Sequence, residues 1–93
     1  MNTTLTDDER VLVELGLQAQ HLLTSETFSN AVNTLSEQLT NAILSTSMDE
    51  TQKRERYYMM HSCLNELVGI LKSRVATKDN IEERMNDENT DIL

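Results

Sequence analysis

Two groupings in this 93-residue chain have residue types that do chemistry. The first is His61 and Cys63, an H-x-C pair that elsewhere could begin a zinc site or set a base beside a thiol. On a helix, residues two apart project about 160° from each other, so the pair does not share one ion. The remaining histidine, His21, has no ligand-like spacing around it. Cys63 falls on an apolar stripe with Met60, Leu67 and Ile70, the setting of a buried, inert cysteine. His61 falls on a neighbouring seam, packed near Tyr57 and Leu64. The carboxylates Asp7, Asp8, Glu9, Asp49 and Glu50 cluster at helix starts, where the helix dipole accounts for them. No phosphate-binding glycine loop, dinucleotide fingerprint or HExxH motif is present. The expectation is a protein that is not an enzyme, with no catalytic, cofactor-binding or metal-ligating residues.

The second grouping is Lys53-Arg54-Glu55-Arg56, followed by Tyr57-Tyr58. Lys53, Arg54 and Arg56 could meet phosphates while Tyr58 stacks on a base. The plainer reading is a solvated helix face, with Asp49–Lys53 and Glu50–Arg54 as acid-before-base pairs four residues apart. A third reading sets this basic turn against an acidic arm of a neighbouring subunit. The net charge of −8 disfavours a dedicated nucleic-acid binder. Its distribution is uneven: residues 1–47 carry −5, residues 48–78 carry +2, and residues 79–93 carry −5.

These groupings sit on an element that organises the chain, a long helix over about 48–76. Ser47 with Glu50 reads as its capping box, with Asp49 adding negative charge at the first turn. Tyr57, His61, Leu64, Val68, Leu71 and Val75 form one seam at alternating spacings of four and three. Beside it runs a second stripe, Met60, Cys63, Leu67 and Ile70. Together they cover roughly 200° of the helix, against about 100° for an ordinary surface helix. Such a helix is covered on two sides by its own chain or is buried in an assembly. Tyr57, Met60, Cys63, Leu67 and Ile70 are therefore the candidate interface, and Lys53, Arg54 and Arg56 the candidate basic contact.

Two helices precede it. Thr6 with Glu9 caps a helix over about 7–23, with Val11, Leu12, Leu15, Ala19, Leu22 and Leu23 as its apolar stripe and Val13 and Leu17 opposite. Thr24 and Ser25 offer caps for a second helix over about 26–44, although the joint could equally be a kink. Phe28, Val32, Leu35, Leu39 and Ala42 form its seam, and Ser29 and Ser36 lie on the polar face. The Ser45-Thr46-Ser47 link makes helix two and the long helix an antiparallel hairpin. Asp79 with Glu82 reads as a further cap, opening a short helix in an acidic tail over 79–93 that ends in Ile92-Leu93. The predicted fold is all-α: a helical domain over 1–78, with a hairpin plus an N-terminal helix in an elongated three-helix arrangement, and the tail.

Composition sets limits on the rest. Proline is absent and glycine occurs twice, which favours helices over turn-rich β structure. One cysteine supports no disulfide framework, in keeping with a reducing compartment. The polar N-terminus does not read as a signal peptide, and no apolar run approaches the roughly 20 residues of a membrane span.

The segments LLTSETFSNAVNTLSEQLTNAILST, from Leu22 to Thr46, and MDETQKRERYYMMHSCLNELVGIL, with Arg54, Glu55 and Tyr58 in an RE-x-x-Y-like start, resemble small α-helical proteins of tailed-phage head and packaging gene modules. The likeness covers about half the chain. It implies a setting: an oligomerising or docking component of a virion, head-assembly or packaging apparatus, in the host cytoplasm during assembly and in the virion thereafter. Its partner would be a second copy or a larger phage structural protein. Two alternatives accompany it. One is a small acidic inhibitor that occupies the nucleic-acid groove of a host enzyme. The other is a small-terminase-like packaging subunit that touches DNA.

Overall fold

The computed structural model describes residues 5–92, with side chains through Asp87. It holds three helices, α1 (Asp7–Leu23), α2 (Glu26–Leu44) and α3 (Thr51–Ile92), and no strand among the described residues. The chain is all-α. It divides into two compact units: residues 24–69, holding α2 and the first part of α3, and α1 with the part of α3 from Ile70 onward.

Local chemistry sets the helix starts. At α1 the capping box is reciprocal: the Thr6 N–H donates to Glu9 Oε1 and the Glu9 N–H to Thr6 Oγ1, both at 3.1 Å. Ser25 caps α2, its hydroxyl accepting from the Phe28 N–H at 3.3 Å from an extended backbone, so α1 and α2 are separate helices. At the end of α2 the serine and threonine of the link serve its last carbonyls. Ser45 Oγ donates to the Asn41 carbonyl and Thr46 Oγ1 to that of Ile43, each at 2.7 Å.

The start of α3 departs from expectation. The Glu50 carboxylate does reach back to the Ser47 N–H, at 2.9 Å. The Ser47 hydroxyl, however, donates to Asp49 and Glu50 instead of accepting a backbone N–H. A turn forms over residues 48–49 and the helix begins at Thr51.

The end of α3 is a larger correction. The helix does not stop near 76, and Asp79 does not cap a separate one; α3 continues to Ile92. Asp79 and Glu82 both turn to Lys78, whose Nζ lies 2.7 Å from Asp79 Oδ1 and 3.4 Å from Glu82 Oε2. Carboxylates at these spacings serve a lysine within a helix as well as they would a helix start. Ile81 is buried and Met85 half-buried, so the packed face continues past the expected end. The side chains of the expected acidic tail from Glu88 onward lie outside the described residues.

In the unit of residues 24–69, α3 presents Tyr57, His61, Leu64 and Val68 to α2, at spacings of four and three. The facing line on α2 is Val32, Ser36, Leu39 and Ile43, with Leu39 buried. The expected α2 seam holds at Phe28, Val32, Leu39 and Ala42, which are buried or half-buried, and gives way at Leu35. Ser29 and Ser36 are half-buried while Leu35 is 41% exposed. His61 lies in the seam with a polar partner beside it; Ser36 Oγ meets its Nε2 at 3.2 Å.

In the other unit, Gly16 and Ala19 are the buried positions of α1. A Cβ on Gly16 would overlap Lys78 Cβ and lie 2.7 Å from the Arg74 carbonyl oxygen. Only glycine allows this approach of the two backbones. The expected α1 stripe holds at Leu15, Ala19 and Leu23, while Val11, Leu12 and Leu22 are exposed and Val13, expected opposite, is half-buried. Leu71, Ile81 and the stem of Lys78 fill the α3 side, Lys78 being 5% exposed. Arg84 closes the unit with an ion pair to Glu9.

Candidate functional site

One flank of the α2–α3 hairpin is open. A groove of about 680 Å³ runs along it. Leu39 and Leu64 form its inner side, Leu35 borders it from α2, and Met59, Met60, Cys63 and Leu67 border it from α3. Arg56 is the single charged residue that lines it. Met59 is 68% exposed, Met60 52% and Leu67 49%. A small-molecule pocket combines apolar walls with a few converging polar groups. This groove has the walls and almost none of the polar groups. Its shape and chemistry suit an apolar helical face, and its flexible methionines adapt to varied partners.

The candidate interface residues divide. Met60, Cys63 and Leu67 stand together on the groove, and Cys63 is exposed rather than buried. Its stripe has no facing helix in this unit, which is why the expected burial does not occur. Tyr57 is half-buried in the α2–α3 seam. Ile70 belongs to the other unit, where it lines a smaller depression of about 270 Å³ with Leu12 and Leu15.

The basic candidates divide as well. Arg54 turns toward the α2–α3 link, donating from Nη1 to Thr46 Oγ1 at 3.1 Å and to the Ser47 carbonyl at 3.0 Å. Lys53 pairs with Glu50 at 3.6 Å. Arg56 lies on the groove. The expected Asp49–Lys53 and Glu50–Arg54 pairs are replaced by these contacts. The Ser47 N–H, then its hydroxyl, then Lys53 hold the Glu50 carboxyl below its ordinary range. The Ser47 hydroxyl does the same for Asp49. The first turns of α3 are thus an internally satisfied network around the link.

Ser36, His61 and Asn65 form a polar cluster that hydropathy places on separate faces. It brings a hydroxyl, an imidazole and an amide together. Asn65 Nδ2 lies 3.4 Å from His61 Nδ1, and Ser36 Oγ lies 3.2 Å from its Nε2. The cluster gives polar partners to a histidine that lies in the hairpin seam.

Among the described residues, no group of three or more His, Cys, Asp or Glu could hold a metal ion. No helix there is long and apolar enough to cross a membrane. Comparison of the chain with known protein families, with curated proteins and with solved structures gives no match.

Proposed function

We propose that the protein is a non-enzymatic docking module whose α2–α3 groove receives the apolar face of another helix. The observation that carries this reading is the continuous run of exposed Met59, Met60, Cys63 and Leu67 beside Leu35 on one flank of the hairpin. Exposed apolar surface rimmed by polar residues marks interaction sites. The setting, assembly of a tailed-phage head or packaging apparatus, rests on the likeness of the Leu22–Leu71 motifs alone. A DNA-contacting role for Lys53, Arg54 and Arg56 is less favoured, because two of the three are engaged within the hairpin.

The test is binding of an apolar fluorescent dye, and of a synthetic amphipathic helix that competes with it. The wild-type chain binds both, while Leu67→Glu and Met60→Lys bind neither and keep the wild-type helical circular dichroism. Dye and peptide binding that persists unchanged in both variants would remove the groove from consideration.

A further inference from the structure

The open flank of α3 has a regular spacing of its own. Arg56, Met60, Cys63 and Leu67 recur at intervals of four, three and four. The filled seam, Tyr57, His61, Leu64 and Val68, recurs at the same intervals one residue later. One residue is about 100° of rotation, so α3 carries two coiled-coil seams roughly at right angles. A helix in a two-helix hairpin needs one seam; a helix in a four-helix bundle needs two, one for each flanking neighbour. α2 fills the first, and the second lines the groove.

We propose, building on the docking reading above, that the occupant of the groove is a second copy of this chain. Two α2–α3 hairpins face each other across the open seams, with α3 antiparallel to α3 about a two-fold axis at the turn Met60–Cys63. Two arguments select a second copy. The first is charge. Arg56 lies on one side of that turn, and the exposed Glu66 lies on the other. A two-fold axis between them sets Arg56 of each copy opposite Glu66 of the other, so one surface supplies both halves of the complement. The second is area. Leu35, Met59, Met60 and Leu67 expose between 41 and 68% of their surface. That is roughly 450 Å² per copy and roughly 900 Å² per pair, before Arg56, Cys63 and the rim are added, close to the ~1,000 Å² floor of a specific interface.

Light scattering with size-exclusion chromatography, over a concentration series of the full chain, tests this. The expected mass is twice 10.6 kDa. Leu67→Glu should weaken the dimer about 30-fold or more, as loss of a central interface anchor does. If Leu67→Glu loses helicity, Met60→Lys carries the same test. Arg56→Glu and Glu66→Arg each weaken the dimer several-fold, and the double reversal restores it. A short bis-maleimide joins two wild-type chains through Cys63. A mass of 10.6 kDa at every concentration excludes the second copy; if dye and amphipathic helix still bind at Leu67, the docking reading stands without it. A dimer indifferent to both Leu67→Glu and Met60→Lys uses another surface and overturns the proposal, as does a double reversal that fails to restore pairing.

Discussion

The two units solve the same problem, two helices with little to bury, in opposite ways. The unit containing α1 brings its helices together at a glycine. Gly16 lets the α1 backbone settle on Lys78 and the Arg74 carbonyl, the lysine stem fills the contact, and its amine is neutralised by two carboxylates. The hairpin unit has a histidine–serine pair in its seam instead, and Leu35 and the methionines lie outside it. Neither unit contains a large side chain that is fully buried, among the described residues. Both units leave apolar side chains exposed, Val11, Leu12, Leu17, Leu22 and Ile70 among them in the unit with α1, but its depression of about 270 Å³ is smaller than the hairpin's groove of about 680 Å³.

Leu39→Ala strikes the hairpin hardest. Leu39 is its one buried apolar side chain and also lines the groove, so truncation should cost about 2–4 kcal/mol. Urea unfolding should show that loss, and hydrogen exchange should place it in α2 and the first turns of α3. Gly16→Ala is the matching probe of the other unit. Its methyl meets backbone and a Cβ rather than a movable side-chain end, so overpacking outweighs the gain in helix propensity. A net loss of about 1–2 kcal/mol is expected, read as faster exchange in α1. Gly69→Ala is the control for that substitution. Nothing lies within 4 Å of the position a Cβ would take, so the change should stabilise α3 by about 0.5–1 kcal/mol, seen as a higher Tm. Opposite signs at the two glycines would confirm that the Gly16 contact is specific to the unit with α1, and equal signs would contradict it.

The smallest effect is that of pH. The Thr6 N–H, then Arg84, hold the Glu9 carboxyl below its ordinary 4.5. Asp49 and Glu50 are lowered by Ser47. A carboxyl lowered in the folded state contributes stability above its unfolded value and loses it as pH falls through the folded one. Both units should therefore loosen below about pH 4.5. Lys78 is raised above 10.5, by Asp79 first and then Glu82. Its contribution is full below 10.5 and is lost as pH rises through the higher folded value, which loosens only the unit with α1. Circular dichroism of the chain titrated in both directions, with Lys78→Met as the reference, checks the asymmetry.

The sequence was most informative where the governing interaction is local. The Thr6 and Ser25 caps act within three residues, and the Tyr57–Val68 seam declares itself by period. Features that depend on what lies opposite were not legible. Gly16 carries no hydropathy, so an apolar stripe drawn through α1 passes it by. Lys78 reads as a charge near a helix end and is instead a packed stem. Asp79 and Glu82 have the spacing of a cap and the spacing of a lysine clamp, and only the lysine's surroundings choose between them. The stripe through Met60, Cys63 and Leu67 could be read as covered or open; it is open because the structure pairs α1 with the part of α3 from Ile70 onward. Ser36 looks like solvent-facing polarity until His61 is placed beside it.

The buried amine of Lys78 also makes the chain its own chemical clock. Of its three lysines, Lys53 is well exposed at the start of α3 and Lys72 is exposed, while Lys78 lies beneath α1. An acylating reagent must wait for α1 to lift before it reaches that third amine. Mass spectrometry of a timed acylation would thus count, one modification at a time, how often the Gly16 contact opens.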